Sequence, residues 1–336
     1  MQKRLDFLDM TKFLAVFLMV ICHTSVPHTF DSIVHAFHMP VFFMVSGWCF
    51  NQAKNTKAVP FVKKRIRSLI IPYFFWAAVL FLMWQIFFWC FDKTRVYPLD
   101  KFAYYLFYSN AEYSPFCTVQ WFLTAMFFAA VISFFVITAF KKSKAMLYVS
   151  TVLLAIVGVA LPYVLPVRLP LAVDVALSSS AFFMVGWLIP NLIAPCLSKR
   201  LKAAALSPAT LVLLLGVGIT AAYFNGYVNL RIMQFNNQIL FYLSAVTLSL
   251  AVILISYHLC RLPERIIRIP LFYGRNSLQI LIFNQLFIQV IKLFKPDFSY
   301  TVWFLCAVGV MLLMYPVILF TNRYLPFTLG KTKKKA

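Results

Sequence analysis

Charge is what this chain has least of. Only 12% of its 336 residues are Asp, Glu, Lys or Arg, about half the share found in ordinary soluble domains. A soluble fold is excluded, because so few polar groups cannot cover its surface. No stretch has the composition of a soluble domain or a long linker. The seven cysteines include no C-x-x-C pair and no metal-ligand spacing, which argues against a zinc or dithiol site. They read as small apolar packing residues. Cys117 alone sits in an outer loop, with Cys90 near the same face, and no spacing supports a bridge between the two. No internal repeat of the transporter kind is visible, and no serine or cysteine stands in a recognisable nucleophile motif. The first apolar run is too long for a cleavable signal peptide, and "TSVPHTF" after it lacks a small-residue cleavage site.

Apolar residues take the place of charge: 62% of the chain is hydrophobic and 18% aromatic, with a mean hydropathy of +0.84. Runs of about 20 apolar residues recur along its length, each long enough to cross a bilayer. The pattern predicts an all-helical polytopic membrane protein, one membrane domain over residues 1–336 with about ten spans: 7–26, 33–53, 69–91, 119–140, 146–166, 172–193, 209–225, 238–260, 270–291 and 300–321.

The net charge of +22 raises nucleic acid as a partner, but its distribution argues against one. Most of the 31 basic residues fall in alternate loops: the run from Lys54 to Arg67, then Lys141 to Lys144, Lys199 to Lys202, Arg261 to Arg268, and the two termini. The positive-inside rule places those loops and both termini in the cytoplasm. The tail "GKTKKKA" reads as a basic end facing membrane lipids.

Ionisable groups inside spans are costly and are functional candidates by default. The first span, "TKFLAVFLMVICHTS", carries Lys12 near its inner end and His23 eleven residues on, about 16 Å away along a helix. Lys12 has a second reading as a residue snorkelling to the cytoplasm, and His23 one as a hydrogen-bonded structural histidine. The second span, "IVHAFHMPVFFMVSGWCF", brings His35 and His38 to the same outer end; His35 also suits an interfacial position. The sixth, "LPLAVDVALSSSAFFMVGWLIP", places Asp174 there too. The inner side gathers cations instead: Lys12, Lys64, Arg65, Arg67, and Arg275 in "YGRNSLQILIFNQLF", read as lying inside a span. Basic loop residues also serve as topology signals. An arginine cluster at an inner mouth suits a phosphorylated cytosolic ligand. Two classes fit this polarity. One is an enzyme moving a group from a cytosolic donor to an outer acceptor, and the other is a proton-coupled transporter or exporter.

Several segments in order resemble the acyltransferase 3 family of bacterial integral-membrane O-acyltransferases, most closely its fucose 4-O-acetylase-like branch. "RLDFLDMTKFLAVFLMVICH" is similar to the family's opening, a basic residue, ten residues and the histidine regarded as catalytic. "FHMPVFFMVSGWCF", "KKRIRSLIIPYFFW", "VQWFLTAMFF", "LPLAVDVALSSSAFFMVGWLI", "GYVNLRIMQFNNQILFYLSA" and "YGRNSLQILIFNQLF" are similar to its later signatures. Two departures stand out. Asn284 occupies a position where many relatives have histidine, and the basic motif is a K-x-x-R (Lys64, Arg67) instead of the doubled arginine.

The resemblance implies acetyl-CoA or another acyl-CoA as donor, with no metal, and a sugar hydroxyl on a cell-surface glycan or its lipid-linked precursor as acceptor. It implies residence in the bacterial inner membrane. His23 is then the expected base, with Asp174 or His38 orienting it or holding the acceptor. Lys12, Lys64, Arg65, Arg67 and Arg275 are the expected donor-binding cations, and Gln120, Trp121 and Asn284 the expected oxyanion or substrate-binding groups.

Overall fold

The computed structural model describes residues 5–91, 93–110, 120–165, 167–294 and 297–331. Cys117, weighed above as a partner for Cys90, lies outside them. The described chain is helical nearly throughout, and its one β-bridge joins Asn229 to Gln234.

The first helix, α1 (Asp6–Cys22), opens with two acidic residues in its first turn, which suits the positive end of a helix dipole. The second expected span is two helices, α2 (His28–Phe37) and α3 (Pro40–Trp48). Pro40 has no N–H for the Ala36 carbonyl and its ring crowds that carbonyl, so the helix breaks at His38–Met39. Next come α4 (Ala58–Arg65) and α5 (Ile71–Phe91), joined without interruption through a wide π turn at Ile66–Ile70. The short α6 (Leu99–Phe107) follows, then α7 (Trp121–Phe140), α8 (Lys144–Val164) and α9 (Val173–Leu188). A second π turn, Ile189–Ile193, leads from α9 into α10 (Ala194–Cys196). After it lie α11 (Lys199–Ala205), α12 (Pro208–Asn225), α13 (Gln238–Leu259), α14 (Glu264–Arg275), α15 (Ser277–Phe294) and α16 (Tyr300–Tyr324). Ser143, Ser198, Ser207, Asn237 and Ser299 cap α8, α11, α12, α13 and α16 by accepting a backbone N–H.

Among the described residues eight helical segments are long and apolar enough to cross a membrane. The other two expected spans are the shorter α1 and the broken α2–α3 pair, both packed within the bundle. The ninth span begins later than expected. Residues 264–275 form a separate helix, and Asn276 (φ −118°, ψ 22°) ends it before α15 starts. Arg275 therefore stands at the foot of a span and not inside one. The sequence "ERIIRIPLFYGR" explains this, because its basic residues gather on one side: Ile267, Leu271 and Tyr273 are buried while Arg265 and Arg268 are exposed beside Ile266 and Ile269.

α9 is the most buried of the eight candidate spans, and α8 and α12 the least. Small residues set the contacts of α9, as in helix packing within lipid. A Cβ on Gly47 of α3 would lie 1.9 Å from the Phe183 carbonyl oxygen of α9, and one on Gly186 would lie 2.0 Å from that of Met44. The two backbones thus touch reciprocally. Ser178 Oγ donates to the Gly158 carbonyl of α8 at 2.9 Å.

Candidate functional site

At the end of the bundle where α1 finishes lies a cavity of ≈ 250 Å³. His23 directly follows α1, half-buried, its backbone N–H directed at the Met19 and Val20 carbonyls. It lines the cavity, and its Nε2 is buried with no hydrogen-bond partner. Buried polar atoms normally have one, so this nitrogen is available to a ligand.

The break between α2 and α3 supplies two more imidazoles. Buried His38 places Nδ1 2.9 Å from the Val34 carbonyl. A carbonyl only accepts, so Nδ1 carries the hydrogen and Nε2 keeps its lone pair. His35 stands edge-on to His38, with ring centroids 4.8 Å apart, and equally close to the Tyr227 ring. Its Nδ1 lies 3.1 Å from the Asp31 carbonyl and 2.9 Å from Asp31 Oδ1. Both are acceptors, so Nδ1 of His35 carries a hydrogen. Cys22 Sγ, a carboxylate oxygen of Asp31 and a ring nitrogen of His35 lie within 4.8 Å of one another. That donor mix suits a zinc ion, although the Asp31–His35 contact by itself accounts for their proximity.

Three further elements complete the wall: Trp121 at the start of α7, the 226–237 loop, and Gln285, Gln289 and Lys292 of α15. Asn225 and Asn236 hold the loop in shape. Asn225 Nδ2 donates to the Phe235 carbonyl, and Asn236 Nδ2 to the carbonyls of Asn225 and Tyr227. Burial pushes the Tyr227 phenol above its usual range, so it faces the cavity as a neutral hydroxyl.

Asp174 occupies a neighbouring site. It is buried and does not line the cavity. Asp174 Oδ2 receives Arg168 Nε at 2.5 Å, and Oδ1 receives Asn110 Nδ2 and the Val175 N–H, each at 2.8 Å. Arg168 in turn donates from Nη2 to the Arg231 carbonyl at 2.9 Å. The carboxylate expected beside His23 thus anchors the loop that forms the cavity wall. Leu171 and Ala172, just before it, both have left-handed backbones (φ 56° and 55°), a strained pair for residues with side chains that this anchor holds in place.

Of the expected site residues, His23, His38 and Trp121 meet in the cavity; Asp174, Gln120 and Asn284 do not line it. Gln120 is buried beside Trp121, with neither amide atom partnered. Asn284 Nδ2 donates to the Ile280 and Leu281 carbonyls at 2.7 and 3.0 Å, leaving that amide no N–H to offer. Asp31, Gln285, Gln289 and Lys292 were not singled out from the sequence. Spacing could have flagged them: Asp31 precedes His35 by four residues, and the other three recur at i, i+4 and i+7 on one helical stripe.

The opposite end holds the cations. Lys12 Nζ lies 2.5 Å from Asp9 Oδ1, and Arg275 reaches Asp6 Oδ1 at 3.0 Å and Asp9 Oδ2 at 3.4 Å. Both are therefore neutralised by α1. Gly274 allows this docking, since a Cβ there would lie 1.8 Å from the Asp9 carbonyl oxygen. Arg65 is half-buried, its guanidinium 5.3 Å from the Phe61 ring centroid and its Nε without a partner. Lys64 and Arg67 are exposed. Among the described residues no carboxylate pairs with Lys63, Lys64, Arg65 or Arg67.

No curated protein and no solved structure matches this chain. The model of the acyltransferase domain family matches residues 5–321, nearly its whole length. The cavity of histidines at one end and the unpaired cations at the other are thus features of a membrane protein that belongs to the acyltransferase family.

Proposed function

We propose that this acyltransferase moves an acetyl group from cytosolic acetyl-CoA to a hydroxyl of a cell-surface glycan or its lipid-linked precursor, in a bacterial inner membrane with both termini cytoplasmic. The observation that carries the proposal is the unpartnered His23 Nε2 on the wall of the cavity, at the opposite end from the unpaired cations. The resemblance to fucose 4-O-acetylase-like proteins supports the choice of acetyl and sugar, and the positive-inside bias supports the orientation.

Arg65, Lys64 and Arg67 receive the phosphates of coenzyme A, whose thioester lies at the end of a long flexible arm. His23 Nε2 takes the hydroxyl proton as the sugar oxygen attacks the thioester carbonyl. Trp121 is the proposed donor to the resulting oxyanion; Gln120 does not line the cavity, and both N–H groups of Asn284 are engaged. Collapse breaks the carbon–sulfur bond, and the His23 imidazolium returns its proton to the departing thiolate. Asp31, through His35, sets the polarity around the base.

The test is transfer of label from [acetyl-14C]-CoA to an envelope glycan extract by the purified protein in nanodiscs. Transfer by wild type and none by His23→Ala is the expected result. No transfer from any acyl-CoA, with uptake driven by a proton gradient, would replace the enzyme with a transporter.

A further inference from the structure

α15 crosses an apolar bundle, yet one of its faces carries Gln285, Gln289 and Lys292 in succession, and all three line the histidine cavity. Gln285 is buried, Gln289 half-buried and Lys292 exposed at the mouth. Gln289 Nε2 lies 3.5 Å from Gln285 Oε1, so the stripe is continuous. A lysine at the end of a membrane helix needs no explanation beyond snorkelling to the head groups. Two glutamines below it on the same face turn side-chain amides toward the cavity, where they can meet a polar ligand. Among the described residues that line the cavity the one carboxylate is Asp31, which His35 already faces. Among the described residues no acid lies within ion-pair distance of Lys292.

Amide groups beside an indole face are suited to sugar hydroxyls and to the apolar edge of a sugar ring. An ammonium above them with no carboxylate partner among the described residues selects an anion. We propose that the acceptor is an acidic saccharide, its carboxylate or phosphate held by Lys292 at the cavity mouth and its reacting hydroxyl directed toward His23. The proposal rests on the acyl-transfer reading for the word acceptor; the anion subsite itself does not.

The test measures binding without donor, by calorimetry on the full-length protein in nanodiscs. Two matched pairs serve as probes: a galacturonic acid trisaccharide against its methyl ester, and glucose 1-phosphate against glucose. The charged member of one pair should bind about tenfold tighter or more, and the pair that responds identifies carboxylate or phosphate. Lys292→Gln should abolish that preference with the thermal unfolding midpoint unchanged, and Lys292→Arg should retain it. No charge preference in either pair, absence of all binding included, overturns the proposal, as does a preference that survives Lys292→Gln. Acetyl transfer to neutral sugars without charge preference would end this subsite and leave acyl transfer standing. Lys292-dependent anion binding with no transfer from any acyl-CoA would do the reverse.

Discussion

The two ends of the bundle use the same kinds of residue for different ends. Where α1 begins, Asp6 and Asp9 neutralise Arg275 and Lys12 and tie α14 to α1, while Lys63 to Arg67 meet no carboxylate among the described residues. Where α1 finishes, Asp174 neutralises Arg168 and holds a loop, while the histidines and Lys292 face a cavity. At each end the neutralised charges build the frame and the others are left for a ligand. Burial differs from pair to pair: Arg275–Asp6 is half-exposed, whereas the shared Asp9 is 4% exposed and Asp174 3%. A buried pair that loses one partner is left with an uncompensated charge, whereas an exposed one is rescued by water.

The largest effect expected is at the histidine end. His23→Ala should lower label transfer about 10²- to 10⁴-fold, the range for removal of a general base, with the protein still folded. A loss below tenfold would shift that role to His38 or His35, the other two imidazoles of the cavity. Next comes the frame at that end. Asp174→Ala should cost about 3 kcal/mol of stability and make the 226–237 loop more open to protease, read from unfolding midpoints and limited digestion. An unchanged midpoint would mean that Arg168 finds another partner and that the loop is not held by this pair.

The basic end should respond in a different currency. Arg65→Gln is expected to raise the KM for acetyl-CoA about tenfold with kcat little changed, since a guanidinium–phosphate contact is lost. Exposed Lys64→Gln should raise it only about twofold, and less at high salt. The smallest effect is the sharpest check of the comparison. Arg275→Gln should cost under about 1 kcal/mol and leave the donor KM unchanged, because Asp6 and Asp9 already occupy that guanidinium. A clear rise in KM would show that Arg275 leaves its carboxylates to meet the donor.

Much of the fold was legible because hydropathy is a sum over neighbours in sequence. The spans of α5, α7, α8, α9, α12, α13 and α16 fall where apolar runs place them. The site was legible in part. His23 and His38 stand out as polar groups at corresponding ends of oily spans, Trp121 was named from the family resemblance, and the structure brings the three to one cavity. Asp31 was passed over because it lies before the expected start of the second span, in what reads as loop but is the first turn of α2. Arg275 was misplaced because the amphipathic α14 and the apolar α15 follow one another with only Asn276 between them and no proline at the join.

By itself the sequence determined an all-helical membrane bundle, the order of its helices, and which ionisable residues reach each end, since all of these follow from local composition and helical rise. Only the tertiary structure decided which of those residues meet. That Asp31 and not Asp174 stands beside the histidines, that Lys12 and Arg275 spend their charge on α1, and that Gln285 turns to the cavity while Asn284 turns away depend on helix rotation and loop path. A few ångströms settle such pairings, and linear spacing does not encode them between helices distant in the chain.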